Sequence, residues 1–190
     1  MFKIFGIPIY EGELLLPPAS HIRMTEEIKK LKMVHPPAWF ADVNTTFNTD
    51  PDLHIRPEFR GLGILILQKV KEFAAELEIN FNKFRIEMKD MWVNSYDENH
   101  GMDKHNHGSD FLSCTYFFSA PEGSSDFVFI NPTHEGLLAT PTKIGNALHS
   151  YRIKPETGKI IIFPSWLEHG VQLNKSIEPR ITFSCNFELL

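Results

Sequence analysis

The sequence predicts a mainly β protein, an antiparallel jelly roll or small barrel preceded by N-terminal helices. From residue 83 onwards, apolar and polar residues alternate in short segments that loops rich in Gly, Pro, Asn or Ser separate. Phenylalanine is also abundant, with 16 Phe against 4 Tyr and 3 Trp, and most of these rings lie in the alternating segments. The core is therefore expected to be a β structure packed with Phe.

The N-terminal third predicts one strand and two helices. Residues 2–16 look extended, and residues 17–35 carry a helical charge pattern that ends before Pro36. A loop follows over 41–58. Residues 59–78 give the clearest helix, because their apolar residues recur at helical spacing with charges on the opposite side.

The remaining chain predicts a succession of strands. No repeat or linker divides the 190 residues, so we expect a single domain, with 1–82 as N-terminal support and 83–190 as the jelly-roll core. The polar segment Asp97–Lys104 is predicted to be a loop. The predicted strands are Phe84–Met88, Met91–Tyr96, Leu112–Ser119, Asp126–Ile130, Ala147–Ile153, Lys159–Phe163, His169–Leu173 and Arg180–Glu188.

Composition excludes several classes of function. The 19 basic and 24 acidic residues give a net charge of −5 without a basic cluster, so nucleic acid is not expected as the main partner. Cys114 and Cys185 lie in apolar segments and are expected to be reduced and buried, which favours a cytoplasmic location. The apolar opening segment is short and contains Pro8, so it is predicted to be neither a signal peptide nor a membrane span.

Three histidines form the main candidate site. His105 and His107 lie two residues apart at the start of an extended segment, so they point to the same face. His169 follows a continuous apolar strand and the turn Ser165–Glu168. A pair from one strand and a single imidazole from another can occupy one face of a metal's coordination shell, although imidazole suits Fe, Zn, Cu and Ni alike.

The other six histidines are expected at the surface or in loops. Of these, only His149 lies in an alternating strand pattern and could face a cavity. The set comprises His21, His35, His54, His100, His134 and His149.

Arg180 is the second half of the candidate site. It lies eleven residues after His169 and shares one face of the last strand with Thr182, whereas Ile181 and Phe183 take the other face. A buried guanidinium requires an anion, and its forked donors with a hydroxyl beside them suit a carboxylate.

These residues together resemble the iron(II)- and 2-oxoglutarate-dependent dioxygenases. That superfamily has HxD/E, a distal His and Arg-x-Ser about ten residues later. Within it, the chain is most similar to a family of 2-oxoglutarate and Fe(II) oxygenases found in bacteria and their phages. The likeness covers nearly the whole chain, and it rests on Trp92-Val93-Asn94, on His105-x-His107-Gly108-Ser109, and on Gly158 through Phe163-Pro164-Ser165-Trp166-Leu167-x-His169.

The resemblance implies a double-stranded β-helix fold and a set of roles. His105, His107 and His169 would hold Fe(II), while Arg180 and Thr182 would bind the far carboxylate of the cosubstrate 2-oxoglutarate. Asn94-x-Tyr96 is similar to a pair that contacts the cosubstrate in the alkylated-base repair branch. The implied activity consumes O2, hydroxylates a substrate C–H bond and releases succinate and CO2.

One position departs from the usual pattern. The carboxylate expected two residues after the first ligand is replaced by His107. Three neutral imidazoles leave the full charge of the metal to be offset by the dianionic cosubstrate. Alternatively, Asp103, Asp110 or water takes the place of His107.

Two other classes of protein remain open from the sequence. A cupin-type three-His enzyme without 2-oxoglutarate, acting as a dioxygenase, lyase or isomerase, fits the spacing from Gly158 through Pro164 to His169, but Trp166 stands where cupins usually have Gly. The Glu of the first cupin motif is also missing. The second alternative is a non-catalytic jelly-roll binding module, although three converging ligands leave an open position that favours chemistry. The substrate is expected to be a small molecule or a peptide, and a homodimer remains open.

Overall fold

The computed structural model describes residues 6–37, 41–132 and 149–190, which hold two helices, a short 3-10 helix and eleven strands. The N-terminal elements are β1 (Tyr10–Glu13), α1 (Pro18–Ile28), β2 (Ala41–Asp42), β3 (Asn44–Thr45), the 3-10 helix (Leu53–Ile55) and α2 (Pro57–Glu76). The core strands are β4 (Ile86–Tyr96), β5 (Gly101–His105), β6 (Leu112–Ser119), β7 (Phe127–Ile130), β8 (Ser150–Ile153), β9 (Lys159–Pro164), β10 (His169–Val171) and β11 (Arg180–Leu189).

The strands form two antiparallel sheets, which confirms the predicted jelly roll. The major sheet has the order β1-β9-β6-β11-β4-β3, and the minor sheet has the order β2-β5-β10-β7-β8. Strands that follow one another in the chain from β4 onwards mostly alternate between sheets, as the double-stranded β-helix requires.

The helices cover one face of the major sheet. Both begin with proline in the first turn, where the missing N–H costs no hydrogen bond. α2 buries an apolar stripe that includes Phe59, whose ring lies 5.7 Å from that of Phe183 on β11. The predicted helix over 59–78 is thus confirmed, whereas the helix predicted over 17–35 ends at Ile28.

The two faces of β11 lie in different environments, one in the apolar core and one in the space between the sheets. Phe183, Cys185 and Phe187 belong to the apolar core shared with α2. The alternate residues Arg180, Thr182, Ser184 and Asn186 face the space between the sheets. The predicted division of this strand into two faces is therefore correct, and it continues beyond Thr182.

Three expectations about the strands were wrong. The segments expected as separate strands before Tyr96 form the single strand β4, which pairs with β11 along its length and contains one register irregularity opposite Asn186 and Phe187. Residues 101–105 form a strand and not a loop. Their exposed side chains are polar, but pairing with β10 satisfies the hydrogen bonds of their backbone. The loop expected over 41–58 contains β2, β3 and the 3-10 helix.

Both cysteines lie in the core of the major sheet. Cys114 and Cys185 are buried and free, as predicted, and they lie opposite each other on β6 and β11. Of the strand expected over Ala147–Ile153, residues 147 and 148 lie outside the described residues. Among the described helices, none is long and apolar enough to cross a membrane.

Replacing Phe183 with Ala should lower the free energy of unfolding by about 3–5 kcal/mol, because a fully buried ring would leave a cavity between α2 and the major sheet. Denaturant titration measures the change. Phe81→Ala, at a ring that is 43% exposed, serves as the control and should change stability by about 0.5 kcal/mol or less. Equal losses in the two variants would contradict this account of the core.

Candidate metal centre

A cavity of about 750 Å³ lies between the two sheets. Alternate residues of β4 from Asp90 onwards and of β11 as far as Asn186 line its wall on the major-sheet side, while β5 and β10 contribute the opposite wall. The β4 and β11 residues are Asp90, Trp92, Asn94, Tyr96, Arg180, Thr182, Ser184 and Asn186.

The three predicted histidines meet on the minor-sheet side of this cavity. His105 on β5 lies opposite His169 on β10 in the strand register. His107 follows two residues after β5 ends, and one ring nitrogen from each of the three residues lies within 4.8 Å of the others. Ring centroids are 4.4–5.4 Å apart.

Two glycines and one backbone hydrogen bond allow the three histidine rings to lie close together. At Gly170 a Cβ would lie 2.9 Å from the Met102 carbonyl oxygen, so glycine permits β10 and β5 to pack closely beside the ligand pair. Gly108 has a φ of 63°, which glycine adopts without strain, and it turns the chain directly after His107. The His107 N–H donates to the Ser165 carbonyl oxygen at 2.9 Å.

Each imidazole is bonded through Nδ1 to an acceptor outside the cluster. His105 and His169 contact the carbonyl oxygens of Asp103 and Leu167 at 3.0 and 2.8 Å, and His107 contacts the side-chain oxygen of Asn186. A carbonyl or amide oxygen can only accept, so each Nδ1 must carry the proton. Each Nε2 then has a free lone pair, which is the form that binds a metal.

The electrostatics of the cavity also favour neutral rings. Burial lowers the pKa of His105 and of His107, and it lowers the pKa of His169 well below its usual value. Repulsion from the other two imidazoles lowers the pKa of His169 further. The cluster is therefore unprotonated near neutral pH and ready to accept a cation.

Arg180 lies fully buried in the same cavity. Its guanidinium carbon is 5.0 Å from the ring centres of both Tyr96 and Phe117, and Nη1 donates to Ser125 Oγ at 3.4 Å. Nε and Nη2 are buried without a hydrogen-bond partner, and no described carboxylate forms an ion pair with Arg180. Burial lowers the pKa of Arg180 to about 10, so it remains charged at pH 7.

Thr182, Asn94 and Tyr96 lie beside Arg180 on the wall formed by β11 and β4, and the shared facing of Thr182 and Arg180 agrees with the strand pattern. Thr182 is opposite Asn94 in the β11–β4 register, and Arg180 is opposite Tyr96. Asn94 donates from Nδ2 to Ser184 Oγ at 3.1 Å, whereas its buried Oδ1 has no hydrogen-bond partner. The cavity wall thus holds unpaired buried donors and an unpaired acceptor, which a polar ligand would satisfy.

The structure separates these residues from the other candidates. Asp103 and Asp110 line the cavity but are not part of the three-His cluster, and Asp110 is bonded to Lys89 at 2.8 Å. Among the other histidines, His21 bonds to the Phe118 carbonyl oxygen and His149 is exposed. His35, His54 and His100 do not line the cavity, and His134 lies outside the described residues.

Sequence reasoning missed several cavity residues, among them Asp90, Trp92, Ser184 and Asn186, and it missed Ser113, which supports Asn186 from behind the cavity wall. For Ser184 and Asn186 the signal was available, since they continue the alternate face that begins at Arg180. Ser113 bonds to Asn186 at 2.8 Å across neighbouring strands, and only the strand order brings these two residues together.

The arrangement fits Fe(II) and 2-oxoglutarate. Three imidazole nitrogens form a donor set suited to a first-row transition metal, and three protein ligands leave positions open. The unpaired guanidinium of Arg180 in the same cavity suits the carboxylate of a dicarboxylic cosubstrate.

Comparisons with known proteins agree with this chemistry. Residues 90–186, just over half of the chain, match a family described as "Putative 2OG-Fe(II) oxygenase". No curated protein matches the sequence.

Solved structures with the same fold are distant in sequence. The non-haem alpha-ketoglutarate-dependent epimerase SnoN from nogalamycin biosynthesis aligns with a TM-score of 0.67 at 12% identity, over 96% of this chain and 76% of its own. HygX from Streptomyces hygroscopicus, solved with nickel, 2-oxoglutarate and hygromycin B, aligns with a TM-score of 0.64 at 11% identity, over 96% and 83%. The viral collagen prolyl hydroxylase vCPH from Paramecium Bursaria Chlorella virus-1 aligns with a TM-score of 0.60 at 16% identity, over 94% of both chains.

The chain belongs to the 2-oxoglutarate and Fe(II) oxygenase family, and the predicted class of enzyme is confirmed. The structural likenesses show the fold of the class, a double-stranded β-helix. Membership of this family favours the oxygenase over the cupin and binding-module alternatives.

Asp90→Asn should stabilise the metal-free protein increasingly as pH rises from 4 to above 6. Burial, and then the nearby Asp110, raise the pKa of Asp90 from 3.8 to about 6, so the folded protein binds this proton more tightly than the unfolded chain does. Wild-type stability therefore falls over this range, and the variant avoids that loss. Because the carboxyl is partly solvated, we expect a gain of about 1 kcal/mol at pH 8.

Urea titrations of both proteins at pH 4 and pH 8 measure this effect. Asp42→Asn, at an exposed aspartate, is the control. A stability difference between wild type and Asp90→Asn that stays constant with pH would contradict the raised pKa of Asp90.

Proposed function

We propose that His105, His107 and His169 hold Fe(II) and that Arg180 with Thr182 binds the distal carboxylate of 2-oxoglutarate. The observation that carries this assignment is a fully buried arginine whose Nε and Nη2 have no partner, in the same cavity as three imidazoles with free Nε2 atoms. A buried charge without a counter-ion is costly, so the cavity is best explained by a ligand that supplies the anion.

When bound, the metal and the cosubstrate supply the oxidising chemistry, in which O2 and 2-oxoglutarate are consumed, succinate and CO2 are released, and a substrate C–H bond is hydroxylated. The protein's contribution is orientation and the exclusion of water. Phe127 and Phe163 pack against the His169 ring at centroid distances of 5.2 and 4.7 Å, and they shield His169 from solvent.

The residues around Arg180 support its proposed role in binding the cosubstrate. Tyr96 and Phe117 hold the guanidinium between two rings, which fixes the direction of its free donors. The Thr182 hydroxyl on the same strand face can donate to the same carboxylate, and the unpaired Asn94 oxygen can accept from a bound water or ligand.

Charge balance distinguishes this centre from a two-His, one-carboxylate site. Three neutral imidazoles leave two positive charges on the metal. The dianionic cosubstrate can offset part of this charge while its distal carboxylate pairs with Arg180. We therefore expect metal and 2-oxoglutarate to bind cooperatively, each raising the affinity for the other.

We propose a small molecule or a peptide as the substrate. This is supported by the relatives of the same fold: HygX was solved with hygromycin B, and a prolyl hydroxylase from Trichoplax adhaerens was solved with a peptide fragment. A cavity of about 750 Å³ has room for such a group beside the cosubstrate. We further propose that residues 1–190 act as one domain in the cytoplasm, which the two free cysteines favour.

The purified protein should convert 2-oxoglutarate to succinate in an Fe(II)-dependent manner, and His169→Ala should abolish this turnover. Succinate is measured by mass spectrometry with and without a chelator. Arg60→Ala, at an exposed arginine of α2, is the control and should retain wild-type turnover. Absence of succinate formation, or full activity in His169→Ala, would overturn the assignment.

Arg180→Ala should weaken 2-oxoglutarate binding by about 100-fold or more, because it removes a buried charge that pairs with the carboxylate. Calorimetric titration of 2-oxoglutarate into the nickel-loaded protein measures the affinity. Unchanged 2-oxoglutarate affinity in Arg180→Ala would overturn the role of Arg180. Nickel binding without measurable 2-oxoglutarate binding in the wild type would instead favour the cupin-type enzyme that does not use this cosubstrate.

A further inference from the structure

His107 differs from the other two imidazoles in how its orientation is fixed. His105 and His169 bond through Nδ1 to backbone carbonyl oxygens two residues away. His107 instead bonds to the side-chain oxygen of Asn186 on β11 in the opposite sheet. Among the three candidate ligands, His107 alone therefore depends for this contact on a side chain that a substitution can remove.

The orientation of the Asn186 amide follows from its neighbours. Ser113 Oγ donates to Asn186 Oδ1 at 2.8 Å, and His107 Nδ1 approaches the same oxygen. The Asn186 backbone N–H donates to Asp90 Oδ1 at 3.1 Å. Hydrogen bonding from the Asn186 side chain also lowers the pKa of the Asp90 carboxyl, although burial raises it overall. A carboxylate accepts, so the amide nitrogen belongs on the Asp90 side and the amide oxygen on the side of His107.

This arrangement selects one form of the imidazole. Since Asn186 Oδ1 can only accept, His107 must donate from Nδ1, and its Nε2 keeps a lone pair that faces the other two histidines. If the amide were reversed, its N–H would face Nδ1 and favour the opposite tautomer. The proton would then occupy Nε2 and block metal binding.

The supporting contacts are buried and hold one another in place. Ser113 and Ser165 are fully buried and their hydroxyl oxygens lie 2.8 Å apart, while Asn186 is 5% exposed. When Ser113 donates to Asn186, Ser165 is the donor to Ser113, so the chain of hydrogen bonds has one consistent direction. The Ser165 carbonyl oxygen also accepts a hydrogen bond from the His107 backbone N–H, so both the backbone and the ring of His107 are held.

We propose that Asn186, held by Ser113 and Asp90, is the positioning residue that makes His107 a metal ligand at the place where related enzymes have a carboxylate. The Asp90 carboxylate lies behind the amide, so negative charge is placed beyond the imidazole instead of directly on the metal. The inference rests on the proposed role of His107 as a ligand. It adds Asn186 as the residue that orients His107 where a histidine replaces the usual carboxylate.

The tautomer of His107 provides the first test, and it can be measured in the wild type itself. In long-range 1H–15N spectra of the metal-free wild type near pH 7.5, His107 should carry its proton on Nδ1, with Nε2 unprotonated. Asn186→Leu removes this acceptor at similar volume and leaves the Ser113 hydroxyl, 3.3 Å from His107 Nδ1, free to donate to that nitrogen. The His107 signals should then shift towards a mixture of tautomers. His105 and His169 should keep their signals, because their acceptors are backbone oxygens. A His107 proton on Nε2 in the wild type would overturn the proposal.

Nickel affinity, measured by calorimetry, provides the second test. Asn186→Leu should weaken Ni²⁺ binding on the order of 10- to 100-fold, and Ser113→Ala should produce a smaller loss in the same direction. Asn44→Leu is the matched control, since it also removes an asparagine hydrogen bond to a side chain, that of Asp97, but lies outside the cavity lining. It should bind Ni²⁺ with wild-type affinity.

His107→Ala in the same titration separates this inference from the proposed function. If His107→Ala binds Ni²⁺ as tightly as wild type, the ligand assignment itself fails. If His107→Ala loses affinity while a folded Asn186→Leu retains it, only the positioning role fails. Circular dichroism confirms folding of each variant, and if Asn186→Leu does not fold, Ser113→Ala and the wild-type tautomer decide the outcome.

Discussion

The pairing of β4 with β11 is the constraint on which the rest of the structure depends. Adjacent residues on a strand point to opposite sides, so β11 places Phe183 in the core under α2 and Thr182 in the cavity between the sheets. A slip of one residue in this register would exchange the two sets. The apolar packing that stabilises the helices against the sheet therefore also fixes where the polar cavity residues lie.

Desolvation determines the chemistry available in that cavity. Arg180 is fully buried and His169 almost so, and both have lowered pKa values because water is excluded from them. Neutral imidazoles whose Nδ1 protons are bonded to acceptors outside the cluster can bind a cation through Nε2. A charged guanidinium with unpaired donors can bind an anion. The protein thus keeps complementary sites for a metal and for a dicarboxylate within one cavity, at the expense of leaving both unsatisfied when empty.

Much of the fold and of the site could be predicted from the sequence. Regular alternation, the long apolar stripe of α2 and the facing of Arg180 with Thr182 are local patterns, and the structure contains each of them. β5 escaped prediction because it contains the exposed, charged pair Asp103 and Lys104 and lacks an alternating apolar pattern. Its strand conformation comes from pairing with β10, for which residues 101–105 carry no local signal. The end of α1 at Ile28 was missed for a similar reason, since the following residues keep helical charge spacing while Val34 pairs with Thr45.

By itself, the sequence determined the class of fold, the family, and the choice of three histidines and one arginine as candidate site residues. Each of these depends on residue type and on spacing within short motifs. Only the tertiary structure decided which atoms meet. Asn186 and His107 are 79 residues apart in the chain, and the bond between them exists because β11 is the neighbour of β6 and β4 in one sheet while β5 belongs to the other. Contacts of this kind depend on strand order and sheet packing, and no local pattern in the residues encodes them.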